Sequence, residues 1–372
     1  MGNADSADVL VVGAGVVGLS IARALALHGL EVIAIERHKR VGEETSSRNS
    51  GVIHSGIYYP TGSAKARLCV RGRELLYAYC AEKGISYQRC GKIILAQEGE
   101  VAKLRDLSQR AAANGVNDLT SLDATEVREL EAQIRCAAGL LCPSTGIIDV
   151  HEFMTALHGD LEAAGGSLVF DTELIDARNE QGHIRARLRA GNDAAGIECR
   201  WLINAGGLHA VDILQRVSDF PAKNIPRRYF AKGNYFDCLG AAPFRRLVYP
   251  MPATAGLGIH ATLDLAGKVR FGPDVEWIDE IDYQVDVARA ASFYEAIRTY
   301  WPALRDGALA PSYAGIRPKL AGPTEPAADF RIDTPDEHGV DGLINLLGIE
   351  SPGLTASLAI AEHLSGVLDG RP

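Results

Sequence analysis

The sequence predicts an α/β fold built on a parallel sheet and interrupted by a β-rich inserted domain. Three observations carry this. Val9–Glu36 reads as strand, glycine turn, helix and strand; residues 225–277 switch to consecutive strands separated by Gly and Pro; and Leu343–Leu347 followed by a helix returns to the α/β texture. A chain of 372 residues with 47% hydrophobic composition is long enough for two cores.

The opening element, VLVVGAGVVGLSIARALALHGLEVIAIE, places an apolar run ahead of Gly13, Gly15 and Gly18, a helix over Leu19–Leu27, and a second apolar run ending on Glu36. Gly13 permits the turn, Gly15 leaves room for a phosphate at backbone amides, and Gly18 allows close helix–strand packing. The helix N-terminus then faces two phosphates, and Glu36, 23 residues after the first glycine, is placed to accept from a ribose. The acid argues for NAD or FAD over NADP.

A long polar loop follows, holding Ser46, Ser47, Arg48, Asn49, Ser50, Gly51, Val52, His54, Ser55, Tyr58 and Tyr59. Loops of this length beside such a cradle usually carry function. A helix is predicted from the N-cap Ser63 to Lys83, stopped by Gly84, with Leu68, Leu75, Leu76, Tyr79 and Cys80 as its apolar stripe. Its Lys65, Arg67, Arg71 and Arg73 suit either a solvated face or an anion. Beyond it, a strand is expected over Tyr87–Ala96, a helix over Glu100–Asn114, an extended piece over Leu140–Val150 broken by Pro143 and Gly146, and a helix over His151–Ala164. Strands are expected at Ser167–Phe170, Thr172–Ala177, Ile184–Leu188 and Arg200–Asn204, the last ending in Ala205, Gly206 and Gly207, where backbone is open to a flat or charged group. The β-rich part offers strands at Tyr229–Cys238, Leu247–Met251, Leu257–Asp264 and Lys268–Gly272, closed by a helix over Val285–Tyr300. Near the end, SYAGIRPK presents Arg317 rigidly beside Pro318, and GIESPGLT leads into a helix over Thr355–Leu368 with open amides at its start.

The net charge of −9 argues against a nucleic-acid partner, and an anionic substrate needs a local cation. Seven cysteines, an odd number with no C-x-x-C pair, argue against a disulfide framework or a metal site and for a reducing compartment. The polar opening MGNADSAD has no apolar leader, and no run is long enough to span a bilayer. The expected location is the cytoplasm, with peripheral contact at a membrane surface left open.

VVGAGVVG, the loop SSRNSGVIHSGIYYPTGSAKARLCVRG, the strand end INAGG, YAGIRPK and GIESPGLTASLAIAEHL together resemble the D-amino-acid-oxidase-type FAD oxidoreductases, and within them the L-2-hydroxyglutarate dehydrogenase/oxidase group. The resemblance spans nearly the whole chain, and the NSGVIHSGIYYPTGS string is its narrowest part. It implies a Rossmann-like FAD-binding domain formed by residues 1–83, 143–214 and 312–372, with 84–142 and 215–311 as the substrate domain. It implies FAD bound by Gly13, Gly15, Val17, Gly18, Glu36 and Arg37, by Ser47, Arg48, Asn49, Ser50, Gly51 and Val52, by Leu174 at the adenine side, by Ala205 and Gly206, and by Gly348, Ser351, Pro352, Gly353, Leu354 and Thr355 at the flavin. His54 stands where some relatives attach the flavin covalently and others with a similar histidine do not. Longer members of the group carry extra sequence ahead of the terminal motif and differ near Arg317.

The reaction so implied oxidises a 2-hydroxy acid to a 2-oxo acid. It needs a base, for which His54 and His260 are the candidates, and a cation on the carboxylate, for which Arg317 is. A dicarboxylate needs a second cation, first Lys232, with Lys65 and Arg67 behind it; Tyr249 joins the substrate residues. The electron acceptor, whether quinone, oxygen or a carrier protein, leaves no motif. Two other readings stay open at this point: an amine or amino-acid oxidase of the sarcosine, glycine or D-amino-acid type, and a flavin-binding module without catalysis.

Overall fold

The computed structural model describes residues 5–252 and 258–369. By its contacts the chain divides into two compact units: residues 1–47, 150–230 and 317–372, and residues 48–149 and 231–316. The sequence expectation put the divisions at 83/84, 142/143, 214/215 and 311/312. They differ most in the loop and helix after residue 47. Val52–Ile53 pairs with Gly146–Ile148, which pairs in turn with Tyr87–Gln88, so this stretch builds a three-stranded sheet of the second unit.

The first unit is organised on an eight-stranded sheet. Asp5–Val12 lies parallel to both Val32–Ile35 and Asp193–Asn204, and Val32–Ile35 continues in parallel to Ser167–Val169. Val9, Leu10 and Val11 are fully buried, as expected of a parallel strand covered on both faces. The strand expected over Arg200–Asn204 is the end of the longer Asp193–Asn204, whose other edge pairs antiparallel with His183–Ala190 and then, from Leu202, parallel with Leu343–Leu347. One strand thus serves a solvent-facing meander and the buried sheet. Helix Val16–Leu27 buries Val16, Gly18, Leu19, Ser20, Ile21, Ala22, Leu25 and Ala26, positions spread round most of its circumference, and packs against helices Val150–Ala163 and Gly353–Asp369.

In the second unit a nine-stranded sheet includes Lys92–Ala96 between Leu247–Pro250 on one side and Ala138–Cys142 on the other. The stretch expected as one strand, Tyr87–Ala96, divides between this sheet and the small one, as does Leu140–Val150, whose expected break at Pro143 and Gly146 separates Ala138–Cys142 from Gly146–Ile148. Helix Ala64–Lys83 has the Ser63 cap and Gly84 stop, but its buried face runs through Lys65, Ala66, Cys69, Gly72, Leu76, Tyr77, Tyr79 and Cys80, leaving Leu68 and Leu75 half-exposed. The strand expected at Leu257–Asp264 is described as Ala261–Leu263; Leu257 lies outside the described residues, as do residues 1–4 of the polar opening. A helix forms at Ala290–Arg298, shorter than expected, behind the 3₁₀ turn Val287–Arg289. SYAGIRPK belongs to strand Leu309–Lys319. Among the described residues no helix is long and apolar enough to cross a membrane.

Candidate functional site

In the first unit the three glycines meet the chain too closely for side chains. A Cβ on Gly13, whose φ is +106°, would lie 2.7 Å from the Ala205 carbonyl oxygen, and one on Gly18 would lie 1.9 Å from the Gly13 carbonyl oxygen. On Gly15 it would lie 2.9 Å from Ser46 Oγ. That hydroxyl accepts from Val16 N–H at 3.0 Å, capping the helix, while Ala14 N–H and His38 N–H each donate at 2.9 Å to the two oxygens of the buried Glu36. A carboxylate has lone pairs left after two such bonds, so Glu36 keeps capacity for a ribose hydroxyl. The amides of Gly15 and Val17, both half-exposed, have no acceptor within the helix. These are the open donors a pyrophosphate requires. Arg37, next along, is exposed.

The strand end Asn204 is tied to its neighbour: its amide donates to Asn345 Oδ1 at 3.1 Å and to the Ala210 carbonyl at 2.8 Å, holding Ala205 and Gly206 at the same edge as Gly13. The terminal motif follows Leu343–Leu347. Glu350 N–H donates to the Gly348 carbonyl at 2.9 Å, Glu350 accepts from Lys319 at 2.7 Å, and the Ser351–Pro352 peptide is cis. Helix Gly353–Asp369 starts two residues earlier than expected, with Gly353 N–H taken by the Glu350 carbonyl and Leu354 N–H left without an intrahelical acceptor. Thr355 is fully buried behind it. Leu174, expected at the adenine side, lies in strand Thr172–Glu180 with its side chain buried in the apolar core and its carbonyl accepting from Arg216.

The loop expected near the pyrophosphate divides between the units. Ser47 ends the first and is exposed; Arg48 begins the second, its guanidinium 4.1 Å over the Tyr283 ring. Asn49 accepts from Tyr313 through its carbonyl and from Gly51 N–H through its side chain at 2.8 Å, and half-buried Ser50 lies between them. Val52 enters the three-stranded sheet.

The second unit brings several expected residues together. Tyr249 stacks on His260, ring centroids 3.5 Å apart and planes 8° from parallel. The Lys92 ammonium lies 4.9 Å from the Tyr249 ring and 4.8 Å from the Tyr58 ring. His54 is pushed down to about 3 by burial and by the Lys92 charge. Burial pushes Lys92 down and Tyr58 and Tyr249 up. Lys92 was not among the sequence candidates, because a single lysine at the start of the run KIILA reads as a solvated strand end. Lys232, expected to take a distal carboxylate, is 3% exposed and donates to Asp282 at 2.8 Å. Its charge is already matched. Lys65 is buried and Arg67 exposed, while Arg317 is half-buried on its strand in the first unit. Among the described residues no group of His, Cys, Asp or Glu is placed to hold a metal.

The model of the DAO family, FAD dependent oxidoreductase, matches residues 8–366. The chain belongs to this family of FAD-dependent oxidoreductases. The glycine cradle, the two open helix starts and the acid at the second strand fit the FAD that the family carries. The chain is 42% identical to the mitochondrial L-2-hydroxyglutarate dehydrogenase of Arabidopsis thaliana over 96% of its own length and 82% of that protein's. It is 33% identical to the protein of the same name from Bos taurus over 72% of its length, spanning 61% of that relative. In fold it is similar to the FAD-bound L-alpha-glycerophosphate oxidase of Mycoplasma pneumoniae, with a TM-score of 0.87 and 25% identity over 98% of this chain and 95% of that one.

Proposed function

We propose that this FAD-dependent oxidoreductase oxidises L-2-hydroxyglutarate, or a close 2-hydroxy acid, to 2-oxoglutarate. The carrying observation is the 42% identity to the Arabidopsis thaliana dehydrogenase along 96% of the chain. FAD supplies the two-electron acceptor for the hydrogen on the substrate's C2. The protein's own work is to bind, orient and deprotonate. His260 takes the hydroxyl proton at an imidazole nitrogen: its ring is held flat by Tyr249, whereas His54 at about 3 is too weakly basic to store a proton near neutrality. His54 acts as a neutral acceptor that orients the hydroxyl. Arg317 binds a carboxylate with its planar guanidinium. The unit of residues 1–47, 150–230 and 317–372 is the FAD-binding part and carries Arg317, and the unit of 48–149 and 231–316 carries His54, Tyr249 and His260. All seven cysteines are free, which supports a reducing compartment such as the cytoplasm or the mitochondrial matrix. An acceptor outside the chain reoxidises the flavin.

The test is an anaerobic visible spectrum of the purified holoprotein with L-2-hydroxyglutarate, its D isomer, sarcosine, D-alanine and glycerol 3-phosphate in turn. Flavin bands bleached by the L hydroxy acid alone are expected; bleaching by an amine or by glycerol 3-phosphate, and not by the hydroxy acid, overturns the reading. His260→Ala should slow flavin reduction about 10²-fold or more, and a normal rate would remove it as the base.

A further inference from the structure

Lys92 begins strand Lys92–Ala96 and is 1% exposed. A charge so far from water is ordinarily paired or hydrogen-bonded. Among the described residues Lys92 forms no ion pair and its ammonium makes no hydrogen bond; its partners are the faces of Tyr58 and Tyr249, at 4.8 and 4.9 Å. Ring quadrupoles attract a cation but accept no conventional hydrogen bond, so the ammonium has no acceptor among the described residues. The hydroxyls nearby in the fold are engaged with each other: Ser55 Oγ meets Thr145 Oγ1 at 2.7 Å and Cys142 Sγ at 2.9 Å. The contrast with Lys232, equally buried but bonded to Asp282, is direct.

We propose that Lys92 is an anion-binding residue that holds a carboxylate of the substrate against the Tyr58 and Tyr249 rings. The inference rests on the 2-hydroxy-dicarboxylate reading and supplies the second cation that reading needs once Lys232 is committed. A carboxylate gives the ammonium the acceptors it lacks, and exclusion of water strengthens the pair. The position is rigid: Lys92 is paired with Leu247 in parallel on one edge and with Cys142 antiparallel on the other. Tyr249 links this cation to the proposed base, since the same ring stacks on His260.

Glutarate, a dicarboxylate with no hydroxyl to oxidise, is the probe, titrated into the FAD-loaded full chain by calorimetry and by thermal midpoint. The wild type is expected to bind it and gain stability. Lys92→Met should bind about 30-fold or more weakly, the loss typical of truncating one partner of a buried charge pair. Without glutarate the variant should melt at or above the wild-type midpoint, because an unpaired buried charge has been replaced by a side chain of similar volume. Lys92→Gln carries the same comparison should the Met variant not fold. Wild-type affinity in the variant overturns the proposal, as does a wild type that ignores glutarate, or a ligand-free midpoint that collapses while binding persists. Failure of the functional reading looks different. The wild-type flavin is then not bleached by L-2-hydroxyglutarate, while glutarate binding still depends on Lys92.

Discussion

His54 and Glu36 show how differently two polar side chains can be held. Glu36 is buried yet receives two backbone amides, so its charge is matched; His54 is desolvated beside the Lys92 ammonium and is pushed down to about 3. The consequence for stability has a definite sign. Unfolded, this histidine takes up a proton near its ordinary value of 6.5, while the folded protein resists protonation until about 3. The unfolded chain therefore binds more protons within that window, and stability falls as pH drops from about 6.5 towards 3. His54→Asn should flatten the decline in thermal midpoint between pH 7.5 and pH 5; an unchanged slope would show that His54 contributes nothing to it. At this scale the glycines and Glu36 were legible, because turn, helix and strand restrict those positions from both sides. Lys92 was not, since a single lysine at a strand start reads as a solvated end until the sheet buries it.

Helix Val16–Leu27 starts under two constraints that act on each other. Gly15 must lack a side chain because Ser46 Oγ stands 2.9 Å from where a Cβ would be, and Ser46 stands there because it caps Val16 N–H. Gly15→Ala should push the hydroxyl away, lose the cap and narrow the phosphate approach, costing about 1–3 kcal/mol as an overpacked site does. Flavin retained through gel filtration should fall accordingly. Ser46→Ala alone should cost about 1 kcal/mol of stability from the lost cap. In the double variant the added methyl has room, so flavin retention should recover part of the way towards Ser46→Ala. A double variant as poor as the sum of both would mean the methyl obstructs the phosphates themselves. Helices and strands with one clear period were readable from the sequence, this one included. The division of Tyr87–Ala96 between two sheets was not, because the turn depends on Gly91 at φ +73°, and an isolated glycine in an apolar alternation carries no such information.

The first unit draws its eight-stranded sheet from three separate stretches of chain. The N-terminal stretch gives Asp5–Val12 and Val32–Ile35; the middle one gives four strands including Asp193–Asn204; the last gives Arg331–Asp333 and Leu343–Leu347. The texture change that marked an insertion was visible in the sequence, yet the division points were not, because the strands of the second unit's small sheet are two or three residues long, too short to show a period. Such an arrangement makes the unit complete only when the last stretch is present. Ending the chain after Ile316 removes the partner of Leu202, Ile203 and Asn204, the side chain that Asn204 bonds, and the helix against which Val16–Leu27 packs. The exposed edge and the uncovered apolar stripe would then face water together. The truncated chain should fail to retain FAD and should associate, as seen by absorbance and light scattering. Supplying residues 317–372 as a separate chain during refolding should restore flavin binding, because the pairings of Leu202–Asn204 and the packing of Val16–Leu27 lie between that stretch and the other two. A truncated protein that stays monomeric and yellow would mean that the first two stretches already close the FAD site.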